Sequence, residues 1–177
     1  MFVSVFVTIV GLQVLGQLFT PPHKYIVDVL ANYSSQNDAT TDELIEDNGY
    51  PSETHYVTTQ DGYILALHRI PHHSKQQQQQ EDTHTHSSSC NSRVVLLYHC
   101  FLCSSSEFIM NTPDKALGYI LSDEGYDVWL GNARGNTYSR NHTQLSPDNP
   151  LFWDFTWHEM GTQDLPAIID YILEETD

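Results

Sequence analysis

Two cysteines three positions apart could do chemistry in this 177-residue chain. Cys100 and Cys103 form a C-x-x-C motif, which can act as a redox pair or supply half of a metal site. The sequence has no second C-x-x-C and no basic residue beside this one, so two small side chains packed in a loop are the simplest interpretation. Cys90 makes the cysteine count odd, so at least one cysteine is a thiol or pairs outside the chain.

Four histidines lie in or beside a repetitive polar segment with five consecutive glutamines at 76–80. They are His72, His73, His84 and His86. Imidazoles can bind metals, but no cysteine or acidic ligand stands at a fixed spacing from them. A segment of this composition cannot bury a core, so the sequence predicts a solvated loop at 72–92. No metal and no cofactor is expected.

The charge balance excludes two classes of partner. The chain has 7 Lys and Arg against 23 Asp and Glu, which gives a formal net charge of −16. Nucleic acids and anionic membrane surfaces both attract basic segments, so neither partner fits. Hydrophobic residues make up 40% of the chain and aromatic residues 11%, which argues for a folded core.

The N-terminus is apolar, and the first charged side chain is Lys24. Small residues at 14–16 complete the pattern of a secretory signal peptide over residues 1–16. The alternative is an uncleaved anchor, because about 18–20 apolar residues can span a bilayer, but polar side chains interrupt this run. No later run is long enough, so we expect no stable transmembrane span and a luminal or extracellular location.

Two regions follow this leader: a polar, irregular arm at 17–43 and a globular domain at 44–177. β-rich runs at 54–59 and 63–70 flank an Asp-Gly turn, which predicts a hairpin. The apolar run 93–99 predicts a strand that is buried on both faces.

A strand–helix–strand unit is predicted over 94–130, which indicates an α/β fold. Residues 112–114 (TPD) suit the first turn of its helix, Gly125 suits the end, and the next strand follows at 126–130. The apolar face of this helix is predicted at Leu117, Ile120 and Leu121.

The last helical segment has a capping box formed by Thr156 and Glu159. Pro166 predicts a break or a new start, with Asp164 as the cap. Asp127 suits a turn, and Arg134 is expected to pair with a carboxylate. The final apolar face is predicted at Ile168, Ile169, Ile172 and Leu173.

Several of these motifs together resemble the acid lipase family, which includes lysosomal acid and gastric lipases. Three segments resemble the N-terminal part of sequences in this family: NGYP at 48–51, TQDGYIL at 59–65 and RIP at 69–71. The most specific match is GYDVWLGNARGNT at 125–137, followed by SPD at 146–148, FWDF at 152–155, EM at 159–160 and DLPA at 164–167.

The resemblance implies the N-terminal part of an α/β-hydrolase sheet, with the first four strands and first helices of an incomplete fold. Strands of that fold lie in the order 1-2-4-3-5, and the strand at 93–99 is the third of them. The fifth strand, which would cover it, is expected after Asp177. Without that strand, the run at 93–99 would form an open edge. The resemblance also implies hydrolysis of acylglycerol or sterol esters, a lipid ester as substrate, and a secreted or lysosomal location.

The catalytic triad of such an enzyme is not expected within this chain. The family attacks the ester with a Ser in G-x-S-x-G, activated by a His and a carboxylate. The sequence has no G-x-S-x-G, and in the family this motif follows the helix with which the chain ends. We therefore expect an N-terminal fragment of a lipase that is inactive alone, with Ser, Asp and His beyond Asp177.

The family's oxyanion loop, His-Gly-Leu-Leu, corresponds here to His99, Cys100, Phe101 and Leu102. The resemblance assigns the oxyanion donor to the main-chain N–H of Phe101 and makes His99 a loop residue rather than the general base. Cys100 replaces a glycine, and a Cβ there would cost about 1–2 kcal/mol if the position needs a positive φ or lets backbone approach closely.

Two other functions remain open from the sequence. One is a non-catalytic secreted lipid-binding protein on a lipase scaffold. The other is a His- and Gln-rich metal-binding or interaction module joined to an incidental hydrolase half. Sequons at Asn32 and Asn141 predict a glycoprotein in either secreted case.

Overall fold

The structure is a computed structural model that describes residues 4–7, 39–72, 93–100 and 102–176. Its strands are β1 (Ser4–Val7), β2 (Glu53–Thr58), β3 (Tyr63–Ile70), β4 (Arg93–Tyr98), β5 (Tyr126–Gly131) and β6 (Asn141–His142). Its α-helices are α1 (Thr41–Asp47), α2 (Leu117–Asp123), α3 (Trp157–Glu159) and α4 (Leu165–Thr176). 3₁₀ turns lie at Ser105–Phe108 and Pro150–Trp153, and a π-helical turn spans Met160–Asp164.

No helix in the described ranges combines the length and apolar character that a membrane span needs.

The central sheet has the strand order β1-β4-β5-β3-β2, and the short β6 pairs with β3. β4 is parallel to β1 and β5, whereas β3 is antiparallel to β5 and β2. The order β2-β3-β5-β4 corresponds to the 1-2-4-3 order of the α/β-hydrolase sheet, so the expected fold is confirmed. β1 and β6 are additions to the four predicted strands.

The predicted hairpin consists of β2 and β3, which pair from Glu53 opposite Arg69 to Thr58 opposite Ile64. Its turn closes where the N–H of Gly62 donates to the carbonyl of Thr59 over 2.9 Å. Gly62 has a φ of +98°, which L side chains rarely adopt, so the turn requires glycine.

Alternate residues of β4 face opposite sides of the sheet and contribute to two apolar cores. Leu96 belongs to one core, which Ile168 of α4 covers. Val95 belongs to the other core, which Ile45 of α1 and Tyr119 of α2 cover. All residues of β4 except its first are buried, so the prediction of a strand buried on both faces is confirmed.

Helix α1 begins inside the segment 17–43, for which the sequence predicts a polar arm. Thr40 caps it: its side chain accepts from the N–H of Glu43, whose carboxylate accepts from the N–H of Thr40 over 2.7 Å. Residues 17–38 lie outside the described part of the chain, as does the predicted loop at 72–92 apart from His72.

Helix α2 does not begin at the predicted signal at 112–114. The carbonyl of Thr112 instead accepts from the N–H groups of Lys115 and Ala116, at 2.8 and 3.0 Å, in an isolated turn. Ala116 is extended, with φ −81° and ψ 127°, and this conformation separates the turn from the helix.

The buried face of α2 also differs from the prediction. Leu117 and Ile120 are each 38% exposed, and the buried residues are Gly118, Tyr119 and Ser122. A Cβ on Gly118 would lie 2.9 Å from the side chain of Ile109. Leu121, the third residue of the predicted face, does pack against the apolar core. Close packing at Gly118 thus accompanies a helix orientation in which Leu117 and Ile120 are the exposed ones.

The last helical run continues through Pro166, where the sequence predicts a break or a new start, and the α-helix α4 begins one residue before this proline. The capping box of Thr156 and Glu159 is present, and the buried residues Ile168 and Ile172 lie on the predicted face. The N–H of Leu165 donates to Met160, five residues back, and so forms a π turn directly before the proline. The wider π turn accommodates Pro166, which has no N–H to donate.

The outer edge of β4 is occupied, so the prediction of an open edge is wrong for this structure. β1 runs parallel to it, with Ser4 opposite Val95 and Val7 opposite Tyr98. β1 belongs to residues 1–16, the predicted signal peptide, and the rest of that segment lies outside the described residues. Cleavage of the leader would remove β1 and expose the hydrogen-bonding groups on this side of β4.

We expect residues 17–177 to self-associate more and to melt at a lower temperature than the full chain, because the apolar edge of β4 would be unpaired. Size-exclusion chromatography and thermal melting of both proteins measure this difference. In the full chain, Val5→Pro removes an N–H opposite Leu96 and should act in the same direction, with Gly11→Pro as the control outside β1. A monodisperse 17–177 monomer with an unchanged melting temperature would contradict the prediction.

Candidate functional site

Two loops meet where the parallel strands β4 and β5 end. His99 follows β4, Asn132 follows β5, and both side chains are buried. In α/β folds, ligands bind in the crevice outside the carboxyl ends of the strands. The polar contacts at this edge therefore define the candidate site.

His99 joins the two loops through both of its ring nitrogens. Its Nδ1 lies 2.8 Å from the carbonyl oxygen of Cys100, and because a carbonyl only accepts, Nδ1 carries the proton. Its Nε2 then accepts from the N–H of Ala133 over 3.0 Å and lies 3.1 Å from the amide nitrogen of Asn136. Burial lowers the pKa of His99, although Cys100 and Glu107 act against this shift. The neutral ring therefore positions the loops, and its hydrogen bonds leave no nitrogen for proton transfer.

The side-chain amide of Asn132 makes four hydrogen bonds in the interior. Its oxygen accepts from the N–H of Ser105 over 3.0 Å and from Asn136 over 2.7 Å. Its nitrogen donates to the carbonyl of Ala66 and to the hydroxyl of Ser105, each over 3.1 Å. One amide thus connects β3, the loop after β5 and the 3₁₀ turn at Ser105–Phe108.

The loop after β5 is held by a second set of bonds. The side-chain oxygen of Asn136 accepts from the N–H groups of Tyr138 and Ser139, both over 3.0 Å. The hydroxyl of Ser139 donates to the carbonyl of Asn132 over 3.3 Å and accepts from the N–H of Ala66 over 3.0 Å. Buried polar groups of this kind cost about 1–3 kcal/mol each when a partner is removed, so the network specifies one loop conformation.

The predicted oxyanion loop is described at His99, Cys100 and Leu102, whereas Phe101 lies outside the described residues. Among the described non-glycine residues, only Leu102 has a positive φ, of 64°. Cys100 does not adopt the left-handed region, so the positive φ under which its Cβ would cost free energy is not present. The left-handed conformation belongs to Leu102, at a cost of roughly 1–2 kcal/mol.

The C-x-x-C thiols lie beside a carboxylate. Cys100 Sγ is 3.4 Å from Glu107 Oε2. Burial raises the pKa of both the Cys100 and the Cys103 thiol, and Glu107 adds to the increase. Without a bound cation, these surroundings favour the thiol over the thiolate that redox exchange needs.

Arg134 pairs with two carboxylates, as the sequence predicts for this residue: the buried Asp164 and the more exposed Asp61. Its Nη1 and Nη2 contact both oxygens of Asp61 at 2.6 and 3.0 Å, and its Nε donates to Asp164 over 2.8 Å. The guanidinium also lies 4.0 Å from the ring centre of Tyr63. Asp164 is fully buried, so the prediction that it caps a helix is wrong: it pairs with Arg134 instead.

Asp127 also has a different role from the predicted turn residue. It lies on β5 and is buried, and Arg69 donates to both of its oxygens over 2.8 Å. Arg69 reaches Glu53 as well, over 2.9 Å. This cluster joins β2, β3 and β5 near the start of β5.

The two sequons differ in what the structure describes. Asn141 lies exposed on the short strand β6, where its side-chain oxygen accepts from the N–H of His142 over 2.9 Å. Asn32 lies outside the described residues. The histidines at 73, 84 and 86, considered above as metal ligands, also lie outside them.

Sequence reasoning did not single out Asn132, Asn136, Ser105 or Glu107. A signal existed for Asn132, because an amide directly after a buried apolar strand must find partners at the sheet edge. Glu107 had no such signal, because its position depends on how the 3₁₀ turn folds back toward Cys100.

Comparison with known proteins identifies similar sequences. Residues 41–112 match the model of the partial alpha/beta-hydrolase lipase region. The chain is 48% identical over 145 residues to Lipase 1 of Drosophila melanogaster, covering 82% of this chain and 29% of that protein. It is 46% identical over 135 residues to gastric triacylglycerol lipase of Bos taurus, covering 76% of this chain and 32% of the relative.

A longer match is lysosomal acid lipase/cholesteryl ester hydrolase of Macaca fascicularis. That protein is 41% identical over 166 residues, which cover 94% of this chain and 39% of the relative. The chain thus spans 29–39% of the length of these three relatives.

We expect Arg134→Met to destabilise the chain by about 3–5 kcal/mol at neutral pH, because it leaves the buried Asp164 without its cation. Burial raises the pKa of Asp164, so this carboxyl takes up a proton more readily as the pH falls, and the loss should shrink in acid. Urea unfolding at neutral and acidic pH measures both effects. Arg140→Met, at an exposed position, is the matched control; an equal loss in the two variants would contradict the prediction.

We expect the stability of the chain to fall as the pH drops below about 6.5. The pKa of His99 is lower in the folded chain than in the unfolded chain, so only the unfolded chain binds a proton there in this range. His99→Gln should reduce this slope by at most about 1.4 kcal/mol per pH unit, the value for one proton. Urea unfolding from about pH 7.5 to about pH 5 measures the slope. His158→Gln, at an exposed position, is the matched control, and an unchanged slope in His99→Gln would refute this assignment.

Proposed function

The chain belongs to the acid lipase family, whose N-terminal portion it matches, and we propose that it forms the first part of a lipase acting on acylglycerol or sterol esters. The names of the gastric and lysosomal relatives support this substrate class. We propose that the catalytic Ser, Asp and His lie beyond Asp177. The loop after β4 would then contribute the oxyanion side of the site.

The double anchoring of His99 is the observation that carries this proposal. Nδ1 of His99 donates to the carbonyl of Cys100 over 2.8 Å, and Nε2 accepts from the N–H of Ala133 over 3.0 Å. These bonds tie the start of the oxyanion loop to the loop after the neighbouring parallel strand. A loop that stabilises a transition state must be held before the reaction starts, and this anchoring supplies that preorganisation.

The proposed chemistry assigns the reacting groups as follows. The downstream Ser oxygen attacks the ester carbonyl carbon while the downstream His takes its proton. Negative charge then develops on the carbonyl oxygen, and the main-chain N–H of Phe101 donates to it. The N–H of Cys100 is already engaged, because it donates to Glu107 Oε1 over 3.3 Å. His99 acts on this site by positioning the loop.

We further propose a secreted or lysosomal location, with residues 1–16 as a cleaved signal peptide and with glycans at Asn32 and Asn141. The uncharged N-terminus supports the leader. The exposed position of Asn141 leaves room for a glycan. The gastric and lysosomal relatives support the location.

The test compares this chain with a version that continues through G-x-S-x-G. In the longer protein, His99→Ala should lower kcat on a p-nitrophenyl ester about 10²–10³-fold, the size of losing one oxyanion donor, with little change in KM. The chain alone should show no turnover and no labelling by a serine-reactive phosphonate.

Two outcomes would overturn the proposal. Turnover by the chain alone that the phosphonate blocks would mean that one of its own serines is catalytic. An unchanged kcat in His99→Ala would mean that the anchored loop has no part in the reaction. The exposed His158→Ala is the control, and melting temperatures of both variants separate loss of fold from loss of rate.

A further inference from the structure

We propose that Cys100, Cys103 and Glu107 form a binding site for a thiophilic metal ion, with Zn²⁺ as the ion that fits best. The sequence alone offered two cysteines and no third ligand. The structure brings the carboxylate of Glu107 to the two thiols. This inference is independent of the proposed lipase activity, because it concerns binding by residues of this chain only.

The ligand atoms already lie close to the spacing that a metal needs. The two sulfurs and a carboxylate oxygen all lie within 4.8 Å of one another. Tetrahedral zinc with bonds of about 2.3 Å to sulfur and about 2.1 Å to oxygen needs a sulfur–oxygen separation of roughly 3.6 Å. Cys100 Sγ and Glu107 Oε2 are 3.4 Å apart, so this edge of the coordination tetrahedron is formed.

The backbone around the thiols holds this arrangement. The N–H of Cys103 donates to the carbonyl of Cys100 over 3.2 Å, which closes a turn around the left-handed Leu102. The main-chain N–H of Cys100 donates to Glu107 Oε1 over 3.3 Å. This bond orients the carboxylate and leaves Oε2 directed to the thiol, as outer partners orient the ligands of metal sites.

The site is open to an ion from solvent. Both cysteines and Glu107 are half-buried, and Leu102, which lies between the cysteines, is 88% exposed. Three protein ligands leave a fourth position for water, as in open zinc sites. An ion can therefore enter without rearrangement of the buried strands.

The ligand set selects the class of metal. Two thiolates and one carboxylate favour Zn²⁺ over Ca²⁺ and Mg²⁺, which take oxygen ligands. Binding converts two thiols to thiolates and releases two protons, so the bound cluster of Zn²⁺, two thiolates and one carboxylate carries a net charge of −1. No oxidant or reductant takes part.

The test is metal titration of the full chain under a reducing agent that keeps the cysteines as thiols. Co²⁺ is the spectroscopic probe, because a thiolate ligand produces a charge-transfer band in the near ultraviolet and imidazole does not. We expect this band to saturate at one Co²⁺ per chain and to disappear when Zn²⁺ is added. Competition with a chelator then measures the affinity for Zn²⁺.

Variants of the three ligands have distinct expected effects. Cys100→Ser and Cys103→Ser should each weaken the band, and the double variant should abolish it. Glu107→Gln should weaken Zn²⁺ binding more than the roughly 10–100-fold loss typical of an outer-shell partner. Cys90→Ser is the matched cysteine control and should bind as the wild type does. Cys100→Gly removes the same ligand with the glycine of the resembled family motif, which guards against a serine variant that fails to fold.

Three results would overturn the inference. The first is no charge-transfer band in the reduced wild-type chain. The second is a band that persists in the double variant of Cys100→Ser and Cys103→Ser with native circular dichroism. The third is binding that disappears when His72, His73, His84 and His86 are replaced by Gln but survives loss of both cysteines, since the ion would then be held by the histidine segment.

Discussion

The buried amide of Asn132 is the interaction on which the edge of this sheet depends. Its four hydrogen bonds join β3, the loop after β5 and the 3₁₀ turn at Ser105–Phe108. Through Asn136 the same network reaches Nε2 of His99. An amide in the interior is stable only when its partners are present, so these loops take one arrangement. That single arrangement is what an oxyanion-binding loop needs.

Two clusters of paired charges, around Arg69 and Arg134, also stabilise the fold. With a net charge of −16, the chain has few cations for its carboxylates, and Arg69 and Arg134 each contact two of them. A guanidinium suits this task because its planar fork donates to several oxygens at once. Both clusters join segments that are distant in the sequence, so they stabilise the relative positions of strands and loops rather than single elements.

The proposed lipase chemistry and the proposed metal site share the loop after β4. The main-chain N–H of Cys100 donates to Glu107, one of the proposed metal ligands, at the position next to the proposed oxyanion donor. The resembled family motif has glycine where this chain has Cys100. The backbone there avoids the left-handed region, so the cysteine is accommodated without strain from φ.

The sequence by itself determined the hairpin, the buried strand β4, the parallel neighbour β5 and the family, because alternation, turn residues and ordered motifs are local signals. It misplaced the start of α2 and the role of Asp164, because packing at Gly118 and the contact with Arg134, 30 residues away, are decided elsewhere in the fold. Only the tertiary structure joined His99 to Ala133 and Glu107 to Cys100. A buried polar group takes its partner from whatever the whole fold brings near it, and no local pattern specifies that partner.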